Sequence, residues 1–185
     1  MLETHHGGSA ACRRIAPRTA WVVGWGLMLL CGVAGAQGGW AEFRPQEGKC
    51  SAKLPGTPQL KTSTLNSADG PVVVRRYRLQ VSGAIYTLAF ADYPEKVVKR
   101  NGAQQLLQKE KAGFLGSMQN VRPTPEKAIK LGAHPGLEFG ADAENTISAR
   151  FYLVGHRLYQ LIAVSSKQDS QGPVVRQFLN SFRVL

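Results

Sequence analysis

The clearest regularity in the chain is an alternation of apolar and polar side chains between residues 72 and 93. Over residues 72–81 one face of an extended chain is apolar while Arg76 and Arg78 lie on the other. Residues 84–93 alternate in the same way, and a Ser82-Gly83 turn separates the two runs. Period-two alternation on both sides of a tight turn predicts a long antiparallel hairpin. We expect this hairpin to form the centre of a sheet.

Shorter alternating runs predict further strands on both sides of this hairpin. Residues 40–43 and 49–54 precede it, and a Pro-Gly-Thr-Pro turn ends the second run. After Pro123 and Pro125, turn residues separate four more runs: 128–131, 136–140, 146–154 and 157–164. That spacing predicts an antiparallel meander.

Two segments show helical spacing instead. Asn101 followed by Gln104 fits a capping box and predicts a helix that begins at residue 101. Glu110 and Lys111 interrupt its apolar face, which consists of Leu107, Phe114, Leu115 and Met118. The last segment has Pro173 near a helix start and apolar residues at i, i+3, i+4 and i+7, namely Val175, Phe178, Leu179 and Phe182. The pattern as a whole predicts one α+β domain, an antiparallel sheet flanked by two or more helices.

The first 36 residues differ in composition from the rest. Three arginines precede an uncharged apolar run over residues 20–36, which ends in Ala34-Gly35-Ala36. These are the three parts of a secretory signal peptide, and we predict cleavage between Ala36 and Gln37. Residues 1–36 are therefore interpreted as a Sec leader and residues 37–185 as the mature domain, periplasmic or secreted. An uncleaved anchor and a lipoprotein modified at Cys31 remain as alternatives, and both fit the run less well.

Removing the leader leaves a strongly basic domain. The mature chain would carry 20 basic and 11 acidic side chains, a net charge of +9. Cys12 and Cys31 belong to the leader, so Cys50 would be the single cysteine, without an intrachain disulfide partner. We interpret Cys50 as a small core hydrophobe, with a reactive thiol as the alternative.

The positive charge is concentrated in the first two-thirds of the mature chain. We single out six residues as a candidate surface for an anionic partner: Arg75, Arg76, Arg78, Lys96, Lys99 and Arg100. Anionic lipid, polysaccharide or an acidic envelope protein would fit such a surface, whereas nucleic acid fits poorly with export. The competing interpretation is that dispersed Lys and Arg only keep the domain soluble.

The sequence contains no complete catalytic or cofactor motif. The mature chain has two histidines, His134 and His156, both beside turn residues, and neither stands in a recognisable triad. Asp142, Glu144 and Asn145 lack calcium-loop spacing. Phosphate-loop and dinucleotide fingerprints are also missing, so we predict no cofactor and no metal.

The order of the elements, with several marker segments, resembles the PsbP-like superfamily. The markers are Leu54-Pro55-Gly56, the turn over residues 131–136, the strands at 150–153 and 157–159, and the final helix at 178–182. The superfamily includes extrinsic photosystem proteins, a Ran-binding import factor and small exported bacterial proteins. The resemblance implies an αβα sandwich with an antiparallel sheet, and it implies no single activity.

The leading hypothesis is therefore a non-catalytic exported binding or accessory domain that contacts an anionic envelope component or an envelope protein. One alternative is an enzyme in which His134 or His156 meets Asp92, Glu138 or Asp142 across the fold. A second alternative is an assembly partner that uses an apolar sheet edge.

Overall fold

The computed structural model describes residues 39–67, 69–81, 83–170 and 172–185. The predicted leader, its cleavage junction, Cys12 and Cys31 lie outside the described residues. Along the described chain the elements are β1 (Ala41–Phe43), β2 (Cys50–Leu54), β3 (Gln59–Ser67), β4 (Gly70–Val81), β5 (Ala84–Asp92), α1 (Glu95–Asn101), α2 (Ala103–Gly116), β6 (Arg122–Pro123), β7 (Lys127–Leu131), β8 (His134–Asp142), β9 (Thr146–Val154), β10 (Arg157–Ser165), α3 (Pro173–Ser181) and β11 (Arg183–Val184).

A large antiparallel sheet organises these elements. Its strand order is β3-β4-β5-β10-β9-β8-β6, and β7 pairs with β8 as well. A small sheet with the order β1-β2-β11 packs with α3 over one face, called here the α3 face. Helices α1 and α2 pack on the opposite face, the α2 face. The predicted α+β class, with helices on both sides of an antiparallel sheet, is confirmed.

The core on the α3 face is rich in aromatic residues. Its largest buried side chains are Tyr86, Phe90, Tyr159, Phe178 and Phe182. Cys50 is fully buried in the same core, and burial raises the pKa of its thiol to about 12. This environment confirms Cys50 as a core hydrophobe, because the reactive form of a thiol is the thiolate.

The core on the α2 face lies mainly over β8, β9 and β10. Leu106, Leu107 and Leu115 of α2 are buried against these strands, together with Phe139 and Phe151. The helices do not extend in the same way over β3 and β4, where a smaller cluster contains Val72, Val74 and Ala91. The α2 face is therefore closed at one side of the sheet and more open at the other.

The predicted hairpin is confirmed as β4 and β5, but its predicted position at the sheet centre is wrong. β3 pairs with β4 along nine residues, and β10 pairs with β5 along its whole length. The centre of the sheet is therefore β5-β10-β9. Residues 59–67 were not predicted as a strand because Leu60 and Leu65 are an odd number of positions apart and lie on opposite faces.

The predicted start of the first helix at Asn101 is also wrong. Residue 101 ends the short helix α1, and Gly102, with φ at +74°, separates α1 from α2. The side chain of Asn101 donates to the carbonyl of Val97 at 2.7 Å instead of capping α2. A φ of this sign favours glycine, so the break falls at the one residue that accepts it without strain. The final helix is confirmed as α3, with Pro173 at its start.

Candidate anion-binding surface

The six predicted basic residues occupy different surroundings in the fold. Arg75 lies on the α3 face, opposite Phe90 in the strand register, and pairs with Glu47. Lys99 pairs with Glu95 at 3.1 Å within α1. Arg100 pairs with Asp69, and Lys96 lies 3.7 Å from the same carboxylate. Each of these four cations thus has a carboxylate within ion-pair distance, with Lys96 and Arg100 sharing one, and the contacts to Asp69 tie α1 to the β3–β4 turn.

Arg76 and Arg78 remain, and the structure adds Lys61 to them. The register places Lys61 directly opposite Arg76, and Arg78 is two residues further along β4 on the same face. In the part of the chain that the structure describes, none of the three has a carboxylate within ion-pair distance. All three side chains are exposed. We call Lys61, Arg76 and Arg78 the open cation row.

The row is compact and electrostatically unfavourable by itself. Cβ atoms of directly opposite residues are about 4.5–5.5 Å apart, and like charges in that position destabilise a sheet. Residues i and i+2 of one strand are about 7 Å apart. These three positive charges therefore form a small concentrated field on the α2 face, at the side of the sheet that the helices leave more open.

A groove lies beside this row, between β4 and α2. It has a volume of about 370 Å³. Its apolar residues include Val74, Ala91 and Leu158, all at least nine-tenths buried, and Phe114 of α2. Arg76 lies on its lining together with Lys109, Glu110 and Tyr93. We call this feature the α2 groove, and it combines an apolar floor with a positive side.

One polar pair lies in the α2 groove. The Tyr93 hydroxyl donates to Oε1 of Glu110 at 2.6 Å. Burial raises the pKa of Glu110 above its ordinary value, and the hydrogen bond from Tyr93 offsets part of that rise. Burial and the bond to Glu110 together raise the pKa of the Tyr93 hydroxyl strongly. The pair thus joins the end of β5 to α2, and in the described part of the chain no cation lies within ion-pair distance of the Glu110 carboxylate.

The sequence contains one sign of this pair, a charged residue on the apolar face of α2, but it does not identify the partner of that residue. Glu110 interrupts the apolar face of α2, and its side chain points to the hydroxyl of a residue 17 positions earlier. A charged residue on an otherwise apolar helix face indicates a polar partner across the fold. The identity of that partner depends on tertiary packing. Lys61 was missed because its strand was missed.

A second polar cluster lies at the end of β5 on the α3 face. Nε and Nη2 of Arg157 each donate to Asp92 at 2.6 Å, and Nη1 donates to the carbonyl of Glu47 at 2.8 Å. The guanidinium also lies 5.2 Å from the centre of the Phe90 ring. Hydrogen bonding to Arg157 is the main reason that the pKa of Asp92 is lowered. We call Asp92 and Arg157 the closed pair.

The histidines lie on turns, and the carboxylates near them already have partners. His156 follows Gly155 between β9 and β10, and its Nε2 is 3.9 Å from Asp92, beyond hydrogen-bond distance. Asp92 already accepts hydrogen bonds from Nε and Nη2 of Arg157. His134 begins β8, and Glu138 of the same strand pairs with Arg150. The arrangement brings neither histidine into hydrogen-bond contact with Asp92, Glu138 or Asp142.

A second cavity, also of about 370 Å³, lies on the α3 face beside α3. Its lining includes Arg150, Asp142 and Thr146. Arg150 pairs with Glu138 and donates to the carbonyl of Leu179 at 3.1 Å and to Asn180 at 2.8 Å. Thr146 donates to Asp142 at 3.1 Å. Arg150 and the two carboxylates of this cavity are therefore engaged with partners in the fold, whereas Lys127 and Arg176 also line it and form no ion pair among the described residues.

Residues 39–185, apart from positions 68, 82 and 171, contain no cluster of three or more His, Cys, Asp and Glu side chains suited to a metal ion. Among the helices the structure describes, none has the length and apolar character needed to cross a bilayer.

Comparisons with other proteins show the fold only. No family model matches the chain, and no curated protein matches it either. Cyanobacterial PsbP (CyanoP) from Synechocystis sp. PCC 6803 is similar in structure, with a TM-score of 0.54 and 12% identity over 84% of this chain and 97% of that one. PA94 from Pseudomonas aeruginosa, a protein of unknown function, gives a TM-score of 0.31 and 12% identity over 71% of this chain and 86% of that one. The described domain thus has a fold similar to that of cyanobacterial PsbP.

Proposed function

We propose that the chain is an exported, non-catalytic accessory domain that binds anionic membrane lipids through the open cation row. The observation that carries this proposal is the contrast among the basic residues of β3, β4 and α1. Arg75, Lys96, Lys99 and Arg100 each have a carboxylate within ion-pair distance, whereas Lys61, Arg76 and Arg78 lie on one face with no carboxylate of the described residues that close.

An anionic surface supplies what the open cation row lacks. Each Lys or Arg close to an anionic bilayer contributes about 1 kcal/mol, so the row would contribute about 3 kcal/mol. Bound phosphates would also relieve the repulsion between Lys61 and Arg76. Because the screening length is about 10 Å at 0.1 M salt, the interaction is local and sensitive to ionic strength.

The predicted leader and the similar fold support the other parts of this proposal. The leader would bring the domain to the outer side of the inner membrane, where anionic phospholipid headgroups are exposed. The fold is similar to that of cyanobacterial PsbP, which supports the architecture of an accessory domain. The engagement of Asp92 with Arg157 and of Glu138 with Arg150 favours a structural role for these carboxylates over a catalytic one.

Cosedimentation with phosphatidylglycerol-containing vesicles tests the proposal. The double variant Arg76→Glu/Arg78→Glu should bind at least about thirtyfold more weakly than the wild type, since it loses two contributions of about 1 kcal/mol each. The matched control Lys130→Glu/Lys167→Glu changes the net charge equally at exposed positions away from the row, and should bind as the wild type does.

Three results would contradict the proposal. Equal loss of binding in both double variants would show that net charge alone attracts the domain. Binding that does not weaken between 0.05 and 0.5 M salt would exclude an electrostatic contact. Failure to bind phosphatidylglycerol, with retention of an acidic protein from the envelope, would assign the row to a protein partner.

A further inference from the structure

The α2 groove has two chemically different parts. Arg76 brings the open cation row to its lining, while Val74, Ala91 and Leu158 form an apolar floor. At the mouth, Leu65 of β3 leaves 54% of its surface exposed. A ligand that fills this groove therefore needs an anionic group at one end and an apolar chain at the other.

We propose that the α2 groove binds a single-chain anionic phosphoglycerol lipid, with its acyl chain on the apolar floor and its phosphate at the open cation row. This inference rests on the proposed lipid-binding function and names the ligand and its site. A volume of about 370 Å³ is at the low end for small-molecule sites, which suits one chain rather than two.

Gly113 is the feature of α2 that leaves room for the chain. Gly113 lies within α2 and lines the groove. A Cβ added to it would meet no atom within 4 Å. Its φ lies outside the range that favours glycine, and no close packing requires a missing side chain. Glycine destabilises a helix interior compared with alanine. Gly113 therefore makes α2 less stable, and because residue 113 has no side chain the wall of the groove stays open there.

The polar pair fits the linker of such a lipid. Tyr93 donates to Oε1 of Glu110, and in the described residues no further side-chain donor reaches this carboxylate. A glycerol hydroxyl is a donor that can reach a carboxylate oxygen without bringing a second charge into the groove. Phosphate at Arg76, hydroxyl at Glu110 and chain at Leu158 would match the order of groups in a lysophosphoglycerol lipid.

Titration calorimetry with lauroyl lysophosphatidylglycerol below its micelle concentration tests this inference. A Cβ at residue 113 meets no atom within 4 Å, so Gly113→Leu places its side chain in the groove, and lysolipid binding should weaken at least tenfold. Gly116→Leu is the matched control, because Gly116 is also in α2 with open space around it but does not line the groove. It should bind as the wild type does, and circular dichroism should show both variants folded.

Two further ligands separate the parts of the site. Glycerol phosphate supplies the headgroup without the chain, and lauroylglycerol supplies the chain without the charge. Each should bind at least tenfold more weakly than the lysolipid. If glycerol phosphate bound as tightly as the lysolipid, the acyl chain would not contribute to binding. If lauroylglycerol bound as tightly as the lysolipid, the cation row would not contribute.

The same variants distinguish failure of this inference from failure of the proposed function. If vesicles bind through Arg76 and Arg78 while Gly113→Leu leaves lysolipid binding unchanged, the groove proposal is wrong and the surface proposal stands. If neither vesicles nor lysolipid bind, both proposals are wrong. Binding of an acidic peptide in preference to the lysolipid would also overturn the choice of a lipid.

Discussion

Asp92 and Tyr93 are neighbours in the chain, yet they belong to two polar clusters that differ in one respect. Asp92, on the α3 face, receives two hydrogen bonds of 2.6 Å from Arg157. Tyr93 donates to Glu110 on the α2 face. Among the residues that the structure describes, this carboxylate has no cation within ion-pair distance, and the cations of the open row have no carboxylate. The charge of Asp92 is thus balanced within the fold, whereas the charge of the open cation row is left available to a ligand.

The pKa directions of the two carboxylates express the same difference. Hydrogen bonding to Arg157 lowers the pKa of Asp92, and burial raises the pKa of Glu110. Asp92 therefore contributes stability that is present above its unfolded pKa and is lost as the pH falls. Glu110 contributes stability that is fully present below its ordinary value and is lost as the pH rises through its raised value.

The largest expected effect comes from breaking the closed pair. Arg157→Ala removes three hydrogen bonds and leaves Asp92 without its cation, so the free energy of unfolding should fall by about 2–3 kcal/mol. Arg76→Ala should change it by less than about 0.5 kcal/mol, since no described contact is lost. Urea unfolding of both variants measures the difference. If both variants lost the same free energy of unfolding, Arg76 would stabilise the fold as much as the closed pair does.

A smaller effect comes from Glu110. Glu110→Gln keeps an acceptor for Tyr93 and removes the charge, so we expect about 1 kcal/mol of stabilisation at neutral pH. Because the protonated carboxyl is already neutral, the gain should vanish near pH 4 and grow as the pH rises. Unfolding curves between pH 4 and pH 8 check this. A gain that is constant with pH would mean that Glu110 is not destabilised by burial.

The smallest expected effect concerns the repulsion between Lys61 and Arg76. Lys61→Gln should stabilise the free protein by a few tenths of a kcal/mol at low salt, since like charges directly opposite destabilise a sheet. At 1 M salt, where the screening length is about 3 Å, the gain should disappear. Thermal unfolding of this variant beside Lys130→Gln gives the measurement. If Lys61→Gln did not increase stability at low salt, the charges of Lys61 and Arg76 would not repel each other in the folded protein.

The sequence predicted the elements whose periodicity is regular, and it failed where that periodicity is broken. Pro173 and the spacing of Val175, Phe178 and Leu179 located α3, and alternation located β4 and β5. β3 has an exposed leucine on each face, so its alternation is absent.

The candidate site was only half predictable for a related reason. Arg76 and Arg78 could be placed on one face from strand alternation alone. The neutralisation of Arg100 by Asp69 and of Arg75 by Glu47 depends on contacts between distant segments. The Tyr93–Glu110 bond depends on how α2 crosses β5, which no local pattern encodes.

The difference between the two clusters can be measured directly by amide NMR of the folded domain during titration with phosphatidylglycerol bicelles. We expect chemical-shift changes confined to β3, to β4 around residues 74–78, to α2 around residues 109–116, and to the groove residues Ala91, Tyr93 and Leu158 with their immediate neighbours. Amides of α3 and around Arg150, which line the cavity on the α3 face, should stay unchanged. Changes centred on the cavity beside α3, or no change at all, would contradict binding at the open cation row.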